Sequence, residues 1–184
     1  MSRINKSLYL GWIIGGAVAG LLLFCAGVTT IVVLANRFDI SDVIIWIIVS
    51  VLVVLLGIVL LVINVIYSCM LLYKAWQAIQ GGQARTTPEK AVGFIFIPGF
   101  NFYWYFIAYW AFARDYNLYL QLKALDLPRL PERLFLSYPI LLLCGLIPFA
   151  GYAAAIAALV ILFIISNKTI DALNSLYHIE NTVV

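Results

Sequence analysis

Two places in this chain put polar chemistry among apolar residues. Asn64 is the one strongly polar side chain in the thirty uncharged residues from Val43 to Leu72, and Arg114-Asp115-Tyr116-Asn117 closes a long aromatic run. Ionisable groups held in a membrane are costly and persist where they pair or work. Asn64, Asn101, Arg114, Asp115 and Asn117 therefore form a candidate polar site that could line a path for a solute. The competing reading is structural: Asn64 bonds a neighbouring helix, and Arg114 snorkels to the interface beside a nearby Asp. Lys168 and Asp171 repeat that pairing near the C-terminus. Other chemistry finds little support. His178, the only histidine, lies in a polar tail and leaves no His pair for haem or a metal. Phosphate-loop, HExxH and G-x-S-x-G patterns do not occur. Cys25, Cys69 and Cys144 sit singly in apolar runs, as packing thiols do. The expectation is a protein that is not an enzyme, with no catalytic residue, metal or cofactor.

The elements that must position these residues belong to a membrane. Of 184 residues, 65% are hydrophobic and 10% charged, with a mean hydropathy of +1.08; soluble domains are about 45–50% apolar and about 25% charged. A net charge of +3 without a basic stripe fits the positive-inside rule and excludes a nucleic-acid partner. The basic start at Arg3 and Lys6 precedes an apolar run too long for a removable signal of about 7–15 residues. That run, 8–35, is the first predicted transmembrane helix. Gly11, Gly15, Gly16 and Gly20 lie four apart in pairs, a spacing that lets helix backbones approach closely. After a polar turn with Ser41 as a candidate N-cap and Asp42 in the first turn, 43–76 forms the second span, with Trp46, Tyr73 and Trp76 at its ends and Gly81-Gly82 as its stop.

Beyond this point the pattern changes. Thr87 as N-cap and Pro88 as first helical residue start a helix that Pro98-Gly99 interrupts after about nine residues, or roughly 14 Å, less than half the hydrocarbon core. Thirteen aromatics crowd 94–119, the composition of a shallow segment more than of a deep span. They could also hold a quinone or carotenoid, although aromatic belts are far commoner. Leu134 to Ser166 is about 50 Å as one helix, too long for a simple span, and it is broken at Ile147-Pro148-Phe149-Ala150-Gly151.

Charge decides between topologies. Four spans place six Lys and Arg inside and five outside, which is no bias. If both broken segments enter and leave on the cytoplasmic side, only Arg37 is outside, ten against one. The predicted fold is thus an all-α integral membrane protein with two transmembrane helices and two Pro/Gly-broken re-entrant hairpins, 88–125 and 131–166; the alternative is a four-span bundle. Pro98, Gly99, Asn101, Pro148 and Gly151 form the turns, Asn101 bonding backbone that lipid cannot satisfy. The two segments echo each other through Pro88-Glu89-Lys90 and Pro131-Glu132-Arg133, and through Asn117 and Asn167. Residues 167–184 are expected as a cytoplasmic amphipathic tail, with Ile170, Leu173 and Leu176 on one side. Its end, Thr182-Val183-Val184, has the form of a PDZ ligand.

The stretch ARTTPEKAVGFIFIPGFNFYWYF at 84–106, preceded by LYKAWQAIQ at 72–80, resembles a signature of bacterial multi-pass membrane proteins with no assigned activity, of the form ARTTPxKAVGFxFIPxFNxYW. The resemblance covers about a fifth of the chain and implies a bacterial inner membrane; it transfers no functional residue. The N-terminus is expected in the cytoplasm. A membrane scaffold or accessory subunit, self-associating through the first helix or joined to a larger complex in the bilayer, is the leading expectation, and a small oligomeric channel or transporter the alternative.

Overall fold

The structure is a computed structural model that describes residues 3–35, 40–81, 83–148 and 150–182, with side chains described over 3–33, 46–81, 83–148 and 150–179. Every regular element among them is helical. In order these are α1 (Lys6–Leu10), a π-helical stretch (Gly11–Gly15), α2 (Gly16–Ala35), α3 (Ile40–Ala78), α4 (Pro88–Gly93), a 3-10 turn (Phe94–Phe96), α5 (Phe100–Tyr105), a second π stretch (Phe106–Ala111), α6 (Phe112–Leu122), α7 (Glu132–Cys144) and α8 (Ala150–Thr182). Three stretches, Lys6–Val33, Trp46–Ala78 and Ala150–Ile179, are long and apolar enough to cross a membrane. Asp42 and Arg37, the Ser41 cap, Gly82, Phe149 and the last two residues lie outside what is described of the side chains or the chain.

Contacts divide the chain into two units, Leu10–Ser68 and a second made of Met1–Tyr9 with Cys69–Val184. In the first, the glycine face is filled by the same chain. A Cβ on Gly57 would lie 2.7 Å from the Phe24 nitrogen and 2.9 Å from the Gly20 oxygen, and one on Gly20 would lie 3.0 Å from the Gly57 oxygen. The helices approach so closely that only glycine fits at their crossing. Gly16 faces Leu60 and Asn64, whereas Gly11 and Gly15 have nothing within 4 Å. The predicted packing quartet thus divides into an occupied pair and an open pair.

In the second unit, Thr87 accepts from the Lys90 N–H and Pro88 opens α4, as the sequence predicts. The helix tightens to 3-10 and stops where Ile97 becomes extended, and Gly99 then turns the chain at φ +80, a left-handed value that favours glycine. The Asn101 backbone N–H donates to the Ile97 oxygen at 2.9 Å. The expectation that the Asn101 side chain bonds the turn is corrected: its Oδ1 is buried without a partner, because the main chain and an aromatic cluster already close the bend. Phe94 meets Phe100 and Trp104 at 5.7 and 4.7 Å, and the Trp104 indole N–H donates to the Ala91 oxygen at 3.1 Å. Segment 88–97 therefore folds back on 100–104.

The second break begins earlier than its proline. α7 ends at Cys144, and the Gly151 N–H closes the bend onto the Ile147 oxygen at 2.8 Å. A Cβ on Gly151 would meet the Gly145 oxygen at 2.5 Å, so glycine is required by close approach. The outgoing arm is longer than predicted: α8 runs 33 residues without interruption, joining the expected arm and tail. Ile170, Leu173 and Leu176 are buried against protein rather than laid on lipid. All ten described Lys and Arg belong to this second unit.

Candidate functional site

Polar residues concentrate at the mouths of the two broken segments. Asp115, in the first turn of α6, is 2% exposed, and its cation is Arg85 in the loop before α4. Arg85 Nη2 approaches Asp115 Oδ1 at 2.7 Å, its Nε donates to both carboxylate oxygens at 2.9 and 3.1 Å, and its backbone N–H donates to Oδ2 at 3.0 Å. Such a multidentate fork is what arginine offers and lysine does not. The expected Arg114–Asp115 pairing is not formed; Arg114 is exposed with its guanidinium 5.2 Å from the centre of the Trp110 ring. Arg85, before the break at Pro98-Gly99, and Asp115, after it, are thus brought together.

Asn117, two residues further along α6, is buried and reads the next loop. Its Oδ1 accepts from the Leu130 N–H at 2.8 Å, and its Nδ2 donates to the Leu130 oxygen at 2.9 Å and to Glu132 Oε1 at 3.2 Å. A side-chain amide facing a peptide group in this way supplies donor and acceptor together. Replacing Asn117 by leucine strands both Leu130 groups in a buried site, at about 1–3 kcal/mol for each unsatisfied group. The expected outcome is a loss of about 3 kcal/mol, read from unfolding in detergent–SDS mixtures.

Asn174 makes the same grip elsewhere. Its Oδ1 accepts from the Ile4 N–H at 2.9 Å and its Nδ2 donates to the Ile4 oxygen at 3.1 Å. Asp171 takes Lys6 at 2.7 Å, not Lys168. Asn117 and Asn174 thus each grip one residue's backbone N–H and oxygen, whereas Asn167 Oδ1 is buried without a partner. Glu89, at the start of α4, accepts from the Tyr73 hydroxyl at 3.1 Å. Its own backbone N–H, then the Thr87 and Tyr73 hydroxyls, hold its carboxyl below the usual range.

Asn64 acts inside the other unit. Its Nδ2 donates to the Trp12 oxygen at 3.2 Å and to the Ile13 oxygen. Both acceptors lie in the π-helical stretch, where the i→i+5 pattern disturbs the ordinary ladder. The second π stretch is served likewise: the Trp76 indole N–H donates to the Ala108 oxygen at 3.1 Å. Asn64 and Trp76 are therefore side-chain partners for irregular backbone.

Asn64 belongs to the first unit; within the second, Asn101 sits at the turn after Gly99, Asp115 and Asn117 lie buried in α6, and Arg114 is exposed. Arg85, Leu130 and Asn174 were not singled out from the sequence, and Glu132 was noted only as part of the opening of the second segment. Comparison of the chain with known protein families, with curated proteins and with solved structures finds no match.

Proposed function

We propose that the protein is a non-enzymatic membrane scaffold or accessory subunit of a membrane complex, held by two crossing helices and two hairpins that enter and leave on the cytoplasmic side of a bacterial inner membrane. One observation carries this reading: three of the five candidate polar side chains are engaged with other parts of the chain. Asp115 holds Arg85, Asn117 holds Leu130, and Asn64 holds Trp12 and Ile13. The hairpin topology is supported by the joined mouths and by length. From Asp115, the arm to Gly99 extends about 24 Å at about 1.5 Å per residue, short of a core of roughly 30 Å. From Lys168, the arm to Ala150 extends about 27 Å, so the second hairpin is the deeper. The open pair Gly11 and Gly15 is the face for self-association, since Gly16 and Gly20 are filled from within the chain.

Two assays on the full-length protein test this. Affinity purification from cells is expected to recover one stoichiometric membrane complex, and Gly11→Val with Gly15→Val is expected to reduce self-association. Solute flux through reconstituted liposomes that is lost on Asn101→Leu or Asp115→Asn would instead establish the channel or transporter reading.

A further inference from the structure

We propose that a cavity between the inter-hairpin loop and α8 binds the phosphate of an anionic lipid headgroup, held by Arg129 and Lys168. The cavity measures about 240 Å³, with Arg129, Leu130 and Pro131 on the loop side and Lys168, Asp171 and Ala172 on α8. Both cations are exposed at its edge, and among the described residues neither has a carboxylate within ion-pair distance. Asp171, the one acid in the lining, is already compensated by Lys6 at 2.7 Å. The remaining field at the cavity is therefore positive.

The loop is held in place. Asn117 grips both polar groups of Leu130, beside Arg129, at 2.8 and 2.9 Å. Lys168 is the first charged residue after the apolar start of α8, and an α8 embedded in the bilayer would bring it to where hydrocarbon gives way to headgroups. An open groove bordering the same Asp171 adds Arg3 and Lys6 on the other flank. Two uncompensated cations on a cavity at headgroup height match a phosphodiester, which is anionic and accepts hydrogen bonds from both. The proposal requires α8 to be embedded in the membrane and does not depend on the scaffold reading or on which side the hairpins enter.

Native mass spectrometry of the full-length protein, released from micelles doped with phosphatidylglycerol or phosphatidylcholine, tests it. Phosphatidylglycerol is expected to be retained preferentially. Arg129→Gln and Lys168→Gln should each weaken retention by about five-fold, and the double variant by about 25-fold. Lys123→Gln, an exposed cation outside the cavity, should leave it unchanged. Equal retention of the two lipids, an unaffected double variant, or the same loss in Lys123→Gln would overturn the site. Displacement of the lipid by equimolar glycerol 3-phosphate would overturn the lipid as the source of the phosphate. Unchanged circular dichroism and melting of the variants serve as the folding control.

Discussion

Arg85→Ala is expected to lower the unfolding free energy by about 3 kcal/mol. Breaking a buried ion pair by removing one partner typically costs about 3–5 kcal/mol, because the other charge is left uncompensated. The lower end applies because Arg85 is 42% exposed while Asp115 is 2% exposed, and because the backbone N–H donated to Asp115 survives the substitution. Arg85→Lys should recover only part of the loss, since a single ammonium cannot reproduce the fork of Nε and Nη2. Asp115→Asn should cost less than Arg85→Ala, as it removes the buried charge and leaves an acceptor. Equilibrium unfolding in detergent–SDS mixtures, followed by tryptophan fluorescence, checks the series. A loss below about 1 kcal/mol for Arg85→Ala would mean that the pair behaves as an exposed one.

Gly57→Val is the second large effect, in the other unit. Even its Cβ would lie 2.7 Å from the Phe24 nitrogen and 2.9 Å from the Gly20 oxygen. Both are backbone atoms, so relief requires the helices to separate rather than a side chain to rotate. Overpacking costs typically about 1–3 kcal/mol, and separation also removes the contacts made by Gly20 with Leu61 and by Gly16 with Asn64. The expected loss is about 3 kcal/mol. Gly15→Val, at an open position just before α2, should alter unfolding of the monomer by no more than about 0.5 kcal/mol.

The sequence was most informative where local rules act alone. Thr87-Pro88 starts a helix because a hydroxyl cap and a fixed φ are local properties, and Pro98-Gly99 ends one for the same reason. The apolar lengths of the first two helices needed only the bilayer thickness. Partners distant along the chain were not legible. Asp115 has Arg114 beside it in sequence, yet consecutive helical residues point apart, and the cation that reaches it is thirty positions back. Likewise Asp171 takes Lys6 over the nearby Lys168. The tail was misread because its apolar side faces protein, and an amphipathic pattern does not say what covers it. Asn101 was given the turn on polarity alone, while the bend is closed by main chain and aromatic rings.

In the topology we propose, both broken segments return to the side from which they entered, so that the loop at 123–131 lies in the cytoplasm. Labelling a single cysteine at Leu127, between Asp126 and Pro128, tests it most directly, in a background lacking Cys25, Cys69 and Cys144. The account predicts protection from a membrane-impermeant maleimide in intact cells and rapid reaction once the cells are opened. Reaction in intact cells would place the loop outside, make 91–113 a crossing helix, and contradict the hairpin topology.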